Sequence, residues 1–145
     1  MSSKKYRQGI FTPVNKSKFI GTSATYRSGL ELKFMRFCDN NINVIQWGSE
    51  NVIVPYISPL DGRVHRYFVD NYVVIREGLT VNRYLIEIKP SRQLKIPTTK
   101  YKKKEHLIYE QSTYIINQAK WAAAAAYALK HNCIFKIITE KELNN

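Results

Sequence analysis

Three acids and a lysine stand in the order Glu31, Asp70, Glu87-Ile88-Lys89. Carboxylates grouped this way suit a hard divalent cation, which takes one or two of them together with waters and substrate phosphate. An ammonium group beside them can position water for attack on a phosphodiester. In Tyr84-Leu85-Ile86-Glu87-Ile88-Lys89 the side chains alternate, so Leu85, Glu87 and Lys89 share one strand face and Ile86 and Ile88 the other. A carboxylate set into an apolar strand costs desolvation unless it is paired or bound to an ion. Two readings of the Glu87/Lys89 pair are therefore open: a self-neutralising pair on a solvated edge, or half of a cation site.

Positioning these groups requires particular elements. Asp70 falls in the β-branched and aromatic run 66–75, which reads as one strand, and a short turn at Glu77-Gly78 joins it to the Glu87 run. Two antiparallel neighbours would bring Asp70 and Glu87 together, with Lys89 pointing into the same space. On such a strand Arg66 shares the parity of Asp70 and is a candidate contact for the scissile phosphate, whereas His65 reads as a structural hydrogen-bonder. Ser28-Gly29-Leu30-Glu31 is a capping-box pattern, followed by Leu30, Phe34 and Phe37 at helical spacing up to Asp39 or Asn40. The Glu31 carboxylate can bond the Ser28 amide, join a metal shell, or do each in a different state.

Residues 44–47 and 52–57 are short β-rich runs, the second carrying Pro55, which indicates an edge or a bulge. Beyond Lys89 the polar stretch 91–104 carries Arg92, Lys95, Lys100, Lys102, Lys103 and Lys104, a cationic loop placed to hold phosphates or to form a solvated face. A long helix is expected from about His106 to Lys130, with the alanines of 122–126 letting it lie close on a sheet. Lys120 beside them reads as a surface lysine, and 133–138 as the last strand.

The chain has 145 residues, enough for one core, with 23 Lys plus Arg against 11 Asp plus Glu, a net charge of +12. That excess is the footprint of a polyanion partner, nucleic acid first. Residues 1–25 carry Lys4, Lys5 and Arg7 with the rings of Tyr6, Phe11 and Phe19 but no steady period. They read as a basic arm before a single domain at 26–145, the rings either stacking on bases or stapling the arm down. No basic amphipathic helix, secretory pattern or run approaching ~20 apolar residues is visible, so neither a membrane nor export is expected. Cys38 and Cys133 lack C-x-x-C spacing, and no zinc site is expected. An RNA-binding module would lack its usual signatures here.

The order helix, three-stranded meander, helix, strand, with an acid in the first helix and D…ExK on the meander, resembles the PD-(D/E)xK nuclease superfamily over about residues 25 to 140. Within it, Tyr26-Arg27-Ser28-x-x-Glu31-Leu32-Lys33, Ile45-Gln46-Trp47-x-Ser49-Glu50, Ile53-Val54-Pro55-Tyr56-x-Ser58-Pro59-x-Asp61-Gly62-x-x-His65-Arg66-Tyr67-Phe68-x-Asp70 and Ile86-Glu87-Ile88-Lys89-Pro90 are similar to the head-completion nucleases of T-even-like bacteriophages, relatives of the TnsA-type transposon-end endonucleases. Val69-Asp70-Asn71 departs from the usual Pro-Asp-Phe, which touches strand geometry rather than metal binding.

The resemblance implies an α/β, restriction-endonuclease-like αβββαβ core with a mixed central sheet flanked by helices. It implies magnesium, with manganese able to substitute, held by Asp70, Glu87 and the Ile88 carbonyl, with Glu31 completing or orienting that shell and Lys89 positioning the attacking water. The corresponding activity is a DNA endonuclease of a phage head-completion protein, hydrolysing packaged or terminal double-stranded DNA before tail joining. Head or neck proteins would be its partners, and the host cytoplasm during assembly, or the virion, its place. A catalytically silent virion protein that binds DNA ends with the same basic surface is the competing reading.

Overall fold

A computed structural model describes residues 8–98, 100 and 102–143. In chain order its elements are β1 (Gly9–Phe11), β2 (Phe19–Ile20), β3 (Ala24–Tyr26), α1 (Gly29–Asn40), β4 (Val44–Ser49), β5 (Ile53–Ile57), β6 (Val64–Phe68), β7 (Asn71–Glu77), β8 (Thr80–Ile88), α2 (Lys104–Lys130), β9 (Ile134–Ile138) and α3 (Glu140–Leu143). A five-stranded mixed sheet in the order β2-β4-β7-β8-β9 forms the centre, with β4-β7 and β7-β8 antiparallel and β2-β4 and β8-β9 parallel. Thus α1, β4, β7, β8, α2 and β9 make the expected αβββαβ core.

The alternation along β8 is what gives the sheet two buried faces. Ile86 and Ile88 pack with Phe34, Met35 and Cys38 of α1 and with Val44, Trp47 and Val73. Leu85, one step out of phase, packs on the other face with Trp121, Ala124 and Ala128 of α2. Those three lie at helical spacing, and the two alanines have no bulk to hold α2 away from the strands. Gly78, with φ of 64°, takes the first central position of the two-residue turn that pairs Glu77 with Thr80, where a side chain would be strained.

One expected continuous strand is broken. Residues 66–75 are not one strand: the chain bends at Val69 and Asp70, so that β6 pairs with β5 in a separate hairpin while β7 enters the central sheet. The 52–57 run forms the other strand of that hairpin, an edge strand as Pro55 indicates. The backbone of the bend is satisfied from outside, Val69 N–H donating to Val52 O (3.1 Å) and Glu50 N–H to Asp70 O (3.1 Å). Glu50 stands at φ 53°, a left-handed conformation that costs a non-glycine residue roughly 1–3 kcal/mol. β-Branched residues on both sides of the bend conceal it in the sequence.

Residues 9–26, without period in the sequence, join the fold through strands too short to show one. β2 extends the central sheet beside β4, and β1 pairs with β3. The Phe19 ring centroid lies 4.6 Å from that of Trp47 and the Phe11 centroid 6.1 Å from it, so these rings staple the segment. Buried Asp39 completes the attachment by accepting the Val14 and Asn15 amides at 2.9 Å each. Lys4, Lys5 and Arg7 lie outside the described residues. No described helix is long and apolar enough to cross a membrane.

Candidate active site

The bend places Asp70 at the start of β7, where the β7-β8 register ends with Asn71 opposite Ile86. Glu87 and Ile88 therefore run past the end of β7, and the Asp70 carboxylate takes the place of the missing strand, its Oδ2 accepting the Ile88 N–H at 2.7 Å. In an extended strand the N–H and C=O of one residue project to the same edge, so the Ile88 carbonyl also faces the Asp70 side. Glu87, only 6% exposed, projects from the opposite side of β8 to Ile86 and Ile88. Its Oε1 accepts the Tyr67 hydroxyl at 2.5 Å, and its Oε2 lies 3.6 Å from Lys89 Nζ.

Burial first, and then the charge of Glu87, raise the Asp70 carboxyl well above the usual carboxylate range, with Glu31 adding to the effect. The Ile88 amide and Lys89 pull in the other direction without restoring it. Two acids held together in a desolvated pocket, which Lys89 offsets only in part, make a site short of positive charge, which is the condition a divalent cation relieves. Oxygens of Asp70, Glu87 and the Ile88 carbonyl suit magnesium, which keeps several waters and needs few carboxylates. Among the described residues no cluster of three or more His, Cys, Asp or Glu converges, so a closed cage of the zinc type is not formed.

Glu31 stands at the edge of this arrangement. Ser28 Oγ caps α1 by accepting the Glu31 amide at 3.1 Å, while Glu31 Oε1 accepts from the Arg27 amide (2.9 Å), one residue earlier than the expected Ser28. Its charge reaches Asp70, but its carboxylate is not gathered with Asp70 and Glu87 into one ligand group. The Arg27 guanidinium pairs with Glu50 Oε2 at 2.9 Å. Glu50, then Glu31 and Asp70, hold it charged above its ordinary value. Arg27 and Glu50, both within the stretches that carry the family resemblance, thus frame the acidic site, a role that the sequence reading did not assign to them.

Arg66 does not sit where parity placed it. With the strand broken at Val69, the opposite set, Tyr67 and Val69, faces inward, and exposed Arg66 lies 5.5 Å over the Phe68 ring on the outer face of the hairpin. Tyr67 is the residue the sequence reading missed. Burial and the Glu87 charge push its hydroxyl far up, so it remains a proton donor to that carboxylate. Lys120, expected at the surface, is half-buried with Nζ 5.5 Å from the Tyr67 ring centroid and 6.0 Å from that of Tyr56. The Trp121 indole N–H, also turned to this side, makes no hydrogen bond of ordinary geometry. His65 does act as a hydrogen-bonder, 2.8 Å from Asp61 Oδ2.

The segment after Lys89 opens with a 3-10 turn at Ser91–Leu94 and is anchored by Glu140, whose carboxylate accepts both the Ser91 hydroxyl and the Ser91 amide (2.8 Å). Those two bonds hold Glu140 down to about 2. Between this segment and α2 runs a groove of about 640 Å³ that starts at Lys89 and is lined by Arg92, Lys95 and Lys102. Lys102 pairs with Glu110 at 2.5 Å. Lys100 lies on the same segment, and Lys103 and Lys104 are exposed at the start of α2.

Replacing Tyr67 with Phe removes only the bond that fixes Glu87. Cleavage is expected to fall by about ten-fold or more, as losses of groups that orient a ligand commonly do, with DNA affinity within about two-fold of wild type. Single-turnover rates and equilibrium binding separate the two; an unchanged rate would reduce Tyr67 to a packing residue.

A family model described as the N-terminal domain of TnsA-like endonucleases matches residues 41–140, a span that contains Asp70, Glu87, Ile88 and Lys89 but not Glu31. The chain is also 36% identical over 143 residues to the head completion nuclease of Enterobacteria phage T4, covering 93% of this chain and 92% of that protein. With its restriction-endonuclease-like sheet and helices, the chain belongs to the TnsA-like endonuclease family.

Proposed function

We propose that the protein is a magnesium-dependent DNA endonuclease of a phage, and that it acts on packaged or terminal double-stranded DNA before tails join filled heads. The observation that carries the chemistry is the meeting of Asp70, Glu87 and Lys89 at the end of β7, with Asp70 raised by burial and by Glu87. Likeness to a protein named head completion nuclease supports the phage setting. Head or neck proteins as partners, and the host cytoplasm or the virion as its place, follow from that setting.

Asp70, Glu87 and the Ile88 carbonyl would hold the cation, with manganese an acceptable substitute. Once bound, such an ion lowers the pKa of a coordinated water and neutralises charge on the phosphoryl oxygens. Tyr67 fixes Glu87 by its hydrogen bond, and the Ile88 amide fixes Asp70, so both carboxylates are oriented before substrate arrives. Lys89, paired with Glu87, would position the attacking water and stabilise charge growing at phosphorus. Glu31 acts through its field on Asp70 and supports the Ser28 cap of α1 by accepting the Arg27 amide. Arg92, Lys95 and Lys102 supply a cationic track leading to Lys89, and Lys100, Lys103 and Lys104 extend it.

Purified protein should cut or nick duplex DNA with magnesium or manganese and be silent in chelator. Neither carboxylate activates water strongly at neutral pH alone, so cutting that survives chelator would overturn the metal-dependent mechanism. Binding without cutting under every metal condition would favour the silent DNA-end protein.

A further inference from the structure

The groove beside Lys89 carries more than positive charge. On α2, Glu110, Thr113, Tyr114 and Asn117 follow at three- and four-residue steps and form its wall, and the same stripe reaches Lys120 and Trp121 at the acidic site one turn later. Asn117 is 6% exposed and lines the groove, so its side-chain amide is held at the groove wall. An amide set in such a wall has both a donor and an acceptor to offer a ligand. Tyr109, 73% exposed, and Tyr114 stand on the same wall, opposite the Arg92 and Lys95 side.

Cations that follow a backbone, rings on which bases stack and an amide able to bond a base edge together form the chemistry of single-strand recognition. A paired duplex shows its base edges only inside its own grooves, which a side chain recessed in a protein groove does not enter, whereas an unpaired base can reach it. Phosphate contacts alone would need neither the rings nor the amide.

We propose that this groove binds an unpaired stretch of the strand being cut, with Asn117 bonding a base edge and Tyr109 and Tyr114 stacking on bases. The preferred substrate is then a duplex bearing an unpaired end or branch beside the scissile phosphate. This inference rests on the endonuclease reading above and names the substrate class for the same site.

The test compares kcat/KM on a blunt duplex, on the same duplex with an unpaired extension, and on one whose extension is abasic. The natural extension should raise kcat/KM by about ten-fold or more, the scale of one to two stacked bases, and the abasic extension should lose that gain. Asn117→Ala and Tyr109→Ala should each shrink the ratio of extended to blunt cutting; Tyr109 is exposed enough that its loss cannot threaten the fold. Equal cutting of all three substrates would overturn the groove assignment while leaving the endonuclease intact. If nothing is cut with either metal, the endonuclease reading fails and the groove is judged by anisotropy in chelator. There, tighter binding of a natural single strand than of an abasic one, lost in Asn117→Ala, supports it, and equal binding overturns it.

Discussion

Lys89→Ala should lower the single-turnover cleavage rate by about 10³-fold, within the 10²–10⁴ range of positioned proton-transfer and charge-stabilising groups. DNA affinity should stay within about three-fold at fixed salt. The asymmetry follows from numbers: Lys89 is one of 23 basic residues, and a single phosphate contact changes the salt slope by only about 0.9. At the acidic site, by contrast, Lys89 is the cation that faces Glu87, 3.6 Å from its Oε2, and no neighbour on β8 replaces it. The variant should remain folded, because the ammonium is partly solvated and the buried strand face is formed by Leu85, Ile86 and Ile88. Comparable losses of affinity and rate would make Lys89 a phosphate contact only.

Asp70→Asn should reduce cleavage by about 10³-fold or more, since it removes one of the two carboxylates at the centre of the site. It should also raise Tm at neutral pH without divalent cation by about 3 °C or more, the response of a domain this size to about 1 kcal/mol. Asn keeps an oxygen for the Ile88 amide and lacks the charge that burial and Glu87 oppose. The pH dependence has a definite sign. Because the folded-state pKa of Asp70 lies above the unfolded one, its contribution to stability is fully present below the unfolded carboxylate value and is lost as pH rises through the raised value. The gap in Tm between variant and wild type should therefore be widest at neutral pH and close on acidification. Glu77, Glu140 and Glu142, all lowered by hydrogen bonds, lose stability on acidification in both proteins and cancel in the difference. A variant less stable than wild type at neutral pH would show that Asp70 is held for structure and not under tension for function.

What could be read in the sequence was whatever kept its period. The β8 alternation separates two buried cores, and the Ser28 cap with its helical spacing sets α1 to within a residue of where it lies. The bend at Val69-Asp70 could not be read, because β-branched and aromatic residues continue through it while the satisfaction of its backbone comes from Glu50 and Val52, far back in the chain. That one break carries the other differences with it: parity reverses, Tyr67 replaces Arg66 on the inner face, and the hairpin folds over the site. Lys120 could not be assigned because local sequence does not say where a long helix crosses a sheet. Strands of two or three residues, such as β2, hold no period at all; their place is set by Phe19 packing on Trp47.

The measurement that bears most directly on the proposed metal site is a calorimetric titration of magnesium into wild type and Asp70→Asn at neutral pH, with and without bound DNA. Asp70 and Glu87 as the cation site predict saturable magnesium binding to wild type, tighter when DNA phosphate is present, and its loss in Asp70→Asn. Equal heats from the two proteins, or none from wild type even with DNA bound, would contradict it.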